Sequence, residues 1–201
     1  MFLRIFGFLI SAVVSFVIYF EVSNTKFSSE EPNKDKLLVD LVSYVLDKLH
    51  YDPKIINDDF SINVYEDFID AVDSQKRFLM KSDIELFSQY RLLIDDQIKS
   101  SDITFFNIVY ETLQTRMDEV ESFYEEVLFT PFNFNLEEEI NLDYENQEYV
   151  NGIAELKKLW RKRLKLSALD GFASKKEINI EDEKTKTDTE IEIESRKSIN
   201  D

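Results

Sequence analysis

The chain has 201 residues, a formal net charge of −17 and 43% hydrophobic residues, with three glycines, three prolines and no cysteine. That length suits one domain with its own core, and so little glycine excludes both the turn-rich β-sandwiches and barrels and the glycine fingerprints of dinucleotide and P-loop folds. The acidic excess argues against a nucleic-acid partner, and the lack of cysteine removes disulfides, thiolate metal sites and a lipidated cysteine.

Met1-Phe-Leu-Arg4 precedes an uncharged apolar run from Ile5 to Phe20 that Glu21 ends. One basic residue followed by a short apolar core has the shape of a secretory leader or a short signal anchor, with a buried cytosolic helix as the lesser alternative. Any membrane contact is expected through this segment, taken as residues 1–25. A polar linker, residues 26–36, follows it.

From Lys34 the pattern is helical. Leu37, Leu38, Leu41, Val42, Val45, Leu46 and Leu49 recur at three and four, and the helix is expected to stop near His50-Tyr-Asp-Pro53. His50 is the only histidine, and no Ser or Cys motif accompanies it, so it reads as a structural or surface group and not as a base. Ser61 is the expected cap of a second helix with Val64, Tyr65, Phe68, Ile69 and Val72 inward. Asp73 to Met80 is a joint whose apolar residues need burial. Ser82-Asp-Ile-Glu85 reads as a capping box opening a helix from Ile84 to Ile98, with Leu86, Phe87, Tyr90, Leu93 and Ile94 inward.

Ser101-Asp102 is the expected cap of the longest helix, ending near Phe129 at Thr130-Pro131. Phe106, Tyr110, Leu113, Met117, Val120, Tyr124 and Val127 form a heptad seam, but Phe105, Val109, Phe123 and Leu128 broaden it, which favours burial against the chain's own helices over a coiled-coil dimer. Glu137-Glu-Glu139 reads as a solvated helical face, because three consecutive helical side chains do not converge on a cation.

After Tyr149 comes a basic amphipathic helix. Ile153, Leu156, Trp160 and Leu164, widened by Leu159 and Leu166, form its apolar stripe, and Lys157, Lys158, Arg161, Lys162 and Lys165 lie opposite. It should close onto the acidic region from Glu111 to Glu148, with Trp160 buried against the longest helix. Arg163 falls on the apolar side and is expected to find a carboxylate. Gly171 is placed to stop the helix, and residues 173–201, polar and without aromatics, read as a disordered tail or a linker. The expected fold is therefore all-α: an irregular multi-helix domain at residues 37–172 between an apolar leader or anchor helix and a disordered tail.

Three stretches in order, Leu49-His-Tyr51 with Phe60-Ser61, then Asp73-x-x-Lys76-x-Phe78-Leu79-x-x-Ser82-Asp83-Ile84-x-x-Phe87, then Glu155-Leu-x-x-x-Trp160-Arg-x-Arg-Leu-Lys165, resemble the N-terminal helical domain of the tail-specific proteases, or carboxy-terminal processing peptidases. The resemblance runs from about Leu37 to Leu169. It implies a bacterial envelope protein, periplasmic or anchored in the inner membrane: an exported Ser–Lys serine peptidase whose helical segments surround a PDZ domain and a protease domain. It further implies protein substrates recognised by exposed C-termini, and a helical domain that shapes the substrate chamber and offers surface to an adaptor protein. In the family, the PDZ domain and the catalytic serine and lysine lie beyond this helical region. No residue here matches the dyad and no glycine follows Gly171 to build a carboxylate loop or oxyanion hole. The expectation is thus a non-catalytic module, a fragment or truncated product, with no catalytic, cofactor or metal residues and with the parent's PDZ and protease domains as partners. The alternative is a free-standing, membrane-tethered helical interaction protein.

Overall fold

A computed structural model of the chain describes residues 32–51, 55–181 and 186–199; the leader and the start of the linker lie outside them. Among the described residues the fold is all-α, with seven α-helices and no strand. The helices are α1 (Pro32–Tyr44, prolonged by a π-helical turn Val45–Leu49), α2 (Asp58–Asp73), α3 (Lys81–Ser88), α4 (Ile94–Lys99), α5 (Thr104–Phe129), α6 (Ile153–Glu181) and α7 (Asp188–Lys197).

Two apolar cores share α5. The first gathers Tyr65 and Ile69 of α2, Leu79, Phe87 of α3, Ile94 of α4, and Phe105 and Val109 of α5. Phe105 is its hub: its ring centroid lies 5.6 Å from Tyr65, 5.7 Å from Phe68 and 6.0 Å from Tyr90, in tilted and edge-on arrangements that suit aromatic quadrupoles. The second core combines Val120, Phe123, Val127 and Leu128 of α5 with Leu156 and Leu164 of α6. Between them α5 carries Arg116, which meets Asp83 at the start of α3 through two bonds of 2.7 and 2.9 Å and Glu119 at 2.7 Å. A bidentate pair in this little-exposed setting fixes how α3 sits on α5.

Several expectations shift by a few residues. Asn57, not Ser61, caps α2, accepting from the Phe60 amide at 3.1 Å. Ser61 lies buried inside the helix, where it donates to Asp95 at 2.7 Å and accepts from the Asp95 amide at 2.8 Å. At α3 the exposed Ser82 does not cap; the Asp83 carboxylate accepts the Met80 amide at 2.8 Å. The expected helix from Ile84 to Ile98 is two short helices divided at Gln89–Leu93, so Phe87 and Ile94 reach the core while Leu86 and Leu93 face solvent. On α5 the buried line runs through Phe105, Val109, Val120 and Phe123, leaving Tyr110 and Met117 of the heptad seam exposed. Burial within the chain therefore prevails on α5.

The largest differences are at the end of the chain. Gly171 does not stop α6, which continues to Glu181 and is the longest helix among the described residues. Beyond Ala173 the described residues are helical instead of disordered: α6 runs on to Glu181, and α7 folds back antiparallel on it, burying Ile191 and Ser195, with Lys176 bonded to Asp188 at 2.8 Å. A Cβ at Gly171 would stand 3.5 Å from the Cβ of Ser195, so the glycine marks the close approach of the two helices. A capping box starts α7: the Glu190 carboxylate accepts the Thr187 amide at 2.8 Å, and Thr187 accepts the Glu190 amide at 3.3 Å. Arg196 then reaches across to the end of α5, donating to the carbonyls of Leu128 at 2.5 Å and Phe129 at 3.1 Å, while its partner Glu192 accepts the Phe132 amide at 3.0 Å. The last carbonyls of a helix have no acceptor role inside it, and α7 supplies their donor.

Candidate functional site

Two of the three motif-bearing stretches, Asp73 to Phe87 and Glu155 to Lys165, converge at the seam between the two cores, where the joint after α2 meets α6, whereas Leu49 and Tyr51 of the first stretch are exposed away from it. Asp73, buried at the end of α2, accepts three successive amides: Arg77 at 2.7 Å, Phe78 at 3.0 Å and Leu79 at 2.8 Å. Lys76 adopts a positive φ of 49°, which turns the chain back so that those amides can face one carboxylate. Burial raises the Asp73 carboxyl above its ordinary value, and the three amides oppose that rise. The Lys76 ammonium donates to the carbonyls of Glu145 and Gln147 and lies 5.4 Å from the Tyr149 ring centroid. Burial, then the Asp73 charge, pushes the Tyr149 phenol up to about 12.

The joint then feeds α6. Phe78 packs on Trp160 at 5.7 Å, Tyr124 meets the same indole edge-on at 6.0 Å, and the Trp160 N–H donates to the Arg77 carbonyl at 2.8 Å. Trp160 is thus set against the longest predicted helix as expected, but only partly buried. Arg163 faces inward, yet no carboxylate lies within ion-pair distance of it among the described residues. It donates to the Gln75 carbonyl at 2.6 Å and covers the Tyr144 ring at 5.4 Å, while its Nε and Nη1 stay buried without a partner. A backbone carbonyl at the joint replaces the expected acid, and burial lowers the guanidinium's pKa. A single parallel bridge, Met80 to Val150, with the Lys81 amide donating to the Val150 carbonyl at 2.9 Å, closes the seam.

The basic run of α6 meets acids as expected, though mostly on an irregular segment and not on helices. The Glu137–Glu139 run lies outside any helix; Glu137 and Glu139 are exposed as expected, but Glu138 is largely covered, held by Arg161 and by Lys165 at 2.7 Å. Arg161 first, then Lys165, holds the Glu138 carboxyl down to about 2. Lys165 is buried and also donates to the Leu136 carbonyl at 2.8 Å, whereas Leu166 and Ile153 of the expected stripe are exposed. Lys157 pairs with Glu126 of α5 at 2.5 Å and Lys162 donates to the Glu139 carbonyl at 2.7 Å. These groups border an open cleft of about 310 Å³ floored by Val127, Pro131, Phe132 and Leu136. Lys157, Arg161, Lys162 and Lys165 are thereby engaged on the chain's own acceptors.

His50 follows the π-helical turn as its extended cap residue, remote in sequence from the seam. Among the described residues, no group of three or more His, Cys, Asp or Glu side chains is assembled to hold a metal ion. No helix among them is long and apolar enough to cross a membrane. The seam can hold two helical units in a fixed relation.

Residues 42–201 match the family model described as the tail specific protease N-terminal domain. The chain is also similar to the tail-specific protease of Haemophilus influenzae (strain ATCC 51907 / DSM 11121 / KW20 / Rd), with 26% identity over 121 residues, a region covering 60% of this chain and 17% of that relative. The similarity therefore spans about a sixth of the relative's length.

Proposed function

Given that this chain belongs to the tail-specific protease N-terminal domain family, we propose that it is a non-catalytic helical module of an envelope carboxy-terminal processing serine protease. In this reading it walls part of the substrate chamber, contacts the PDZ and protease domains of the parent enzyme and offers surface to an adaptor protein. It works outside the cytoplasm, in the periplasm or at the inner membrane, with Ile5–Phe20 as leader or retained anchor. Protein substrates with exposed C-termini are handled beside it, not by it.

One observation carries this reading. Seven of the residues on which the family resemblance rests, Asp73, Lys76, Phe78, Leu79, Asp83, Trp160 and Arg163, are engaged in holding the seam: three amides on Asp73, the Phe78–Trp160 stack, the Asp83–Arg116 pair and the Arg163–Gln75 bond. Side chains so occupied set the relation between two helical units and leave no group poised for chemistry. A chimera tests the proposal. Residues 42–201 of this chain replace the matching region of the Haemophilus influenzae protease, and hydrolysis of a short peptide is compared with that of a folded protein carrying the same C-terminus. Peptide cleavage that survives replacement, together with protein cleavage that falls when the seam is broken by Asp73→Ala, supports a chamber wall. Hydrolysis of either substrate by the isolated full chain overturns the non-catalytic assignment.

A further inference from the structure

The first helix is inverted for a domain that folds in water. α1 packs against α4, and the residues of it that are partly covered include Val39, Ser43 and Leu46, with Asp40 accepting a hydrogen bond from the Ser101 hydroxyl. The Ser43 hydroxyl is buried there without a partner. Leu37, Leu38, Leu41, Val42, Val45 and Leu49 meanwhile remain 40–67% exposed. At 100° per residue these six sweep an arc of roughly 140°, wider than the stripe that one neighbouring helix covers. Tyr44, Tyr51 and Ile55 continue the exposed apolar surface along the chain.

What adjoins this face in sequence selects its occupant. Eleven residues, Glu21 to Glu31, separate the uncharged run Ile5–Phe20 from Pro32. Fully extended they reach about 40 Å at most, so a bilayer holding that run has its surface within reach of α1. A second copy of the chain suits the face less well, since a stable interface gathers about 20 to 30 residues a side and this one offers six large aliphatic side chains and two tyrosines. A lipid boundary needs no shape complement. It also suits what flanks the arc: exposed Lys34 and Lys36 at the start of α1, and Tyr44 and Tyr51 near its end, where amphipathic rings favour the headgroup level.

We propose that α1 lies in the interfacial plane of the bilayer that holds Ile5–Phe20, with Leu37, Leu38, Leu41, Val42, Val45 and Leu49 turned into the acyl boundary. This inference rests on Ile5–Phe20 being a retained anchor. The module then stands close against the membrane, with α1 as its foot, and does not swing on a free tether.

The absence of cysteine makes the test clean. Full-length chain carrying Leu41→Cys, labelled with a polarity-sensitive fluorophore, is reconstituted with phosphatidylcholine vesicles, whose neutral surface avoids repulsion of a −17 chain. Density flotation reports the anchor; quenching by acyl-brominated lipid reports α1. The expected result is that the protein floats and the label at position 41 is quenched at least twofold, while the same label placed by Glu66→Cys on the exposed side of α2 is not. Leu38→Glu with Val42→Glu should abolish the quenching without sinking the protein. Flotation with position 41 unquenched overturns the proposal and leaves the anchor standing. Failure to float removes both. A label at position 41 shielded by concentration-dependent self-association in lipid-free detergent overturns it in favour of a second copy.

Discussion

Replacing Arg196 by Met tests whether α7 is an integral part of the fold. The Arg196 and Glu192 side chains are 13% and 9% exposed and paired at 2.8 Å, so truncation leaves a largely covered carboxylate with the Phe132 amide as its remaining partner off α7. It also strips the donor from the Leu128 and Phe129 carbonyls at the end of α5. Removing one member of a buried pair costs about 3 to 5 kcal/mol; with some solvent at the guanidinium, the low end of that range, about 3 kcal/mol, is expected. For a domain of this size that corresponds to a fall in Tm of about 6 to 12 °C. Urea unfolding followed by circular dichroism and by Trp160 fluorescence measures it, since the indole sits on the second core. Lys197→Met, next in sequence but exposed, serves as the control and should stay within about 0.5 kcal/mol. If Arg196→Met changes stability no more than that control, α7 is a loosely attached appendage and the reasoning fails. Pairing Arg196→Met with Glu192→Leu should recover part of the loss, because the orphaned carboxylate goes with its partner.

Other expectations follow from the same geometry. Gly171→Ala should stabilise by about 0.5 to 1 kcal/mol, because the position is helical and its new Cβ would meet Ser195 at ordinary contact distance; Gly171→Leu should instead loosen α7, read as faster amide exchange over residues 188–199. Glu138 titrates at about 2 in the fold, below its ordinary 4.5, so its stabilisation is complete above the ordinary carboxylate range and disappears as pH falls toward 2; Glu138→Gln should flatten the acid limb of stability against pH. Asp73→Asn keeps one acceptor oxygen for the Phe78 and Leu79 amides but turns its N–H₂ to the Arg77 amide, and should cost about 1 to 3 kcal/mol for the amide left unpaired. Asp73 also has a raised pKa, so the fold binds its proton more tightly than the unfolded chain and wild-type stability should fall as pH rises from the ordinary carboxylate value through the raised one; the variant lacks that decline in urea midpoints.

Elements whose signal is local were legible in the sequence. The apolar spacing of α2 and α5, the stop at Thr130-Pro131 and the burial demanded by Phe78 and Leu79 all follow from chain chemistry alone. What escaped depends on where backbone groups end up in space. Arg163 found the Gln75 carbonyl because a turn leaves carbonyls without helical partners, and no residue type in the sequence marks that. Asp73 collects three amides for the same reason. Gly171 looked like a terminator because glycine usually ends helices, but a glycine can equally mark where a second helix comes close. The tail looked disordered because its isoleucines had no visible partner; the Thr187-to-Glu190 capping box was the signal that could have revealed α7. Glu138 was read with its neighbours as one acidic face, although in the irregular segment it alone of the three turns onto Arg161 and Lys165.

The Arg196 contact sets an order of events during synthesis. The fully buried members of the first core fall between Tyr65 and Val109, so that half can begin to condense while the ribosome is still translating the rest. The end of α5 waits for a side chain made 68 positions later. Until Arg196 has emerged, the nascent polypeptide carries a condensing half beside an open one, and chaperones that bind exposed apolar segments have that interval in which to act.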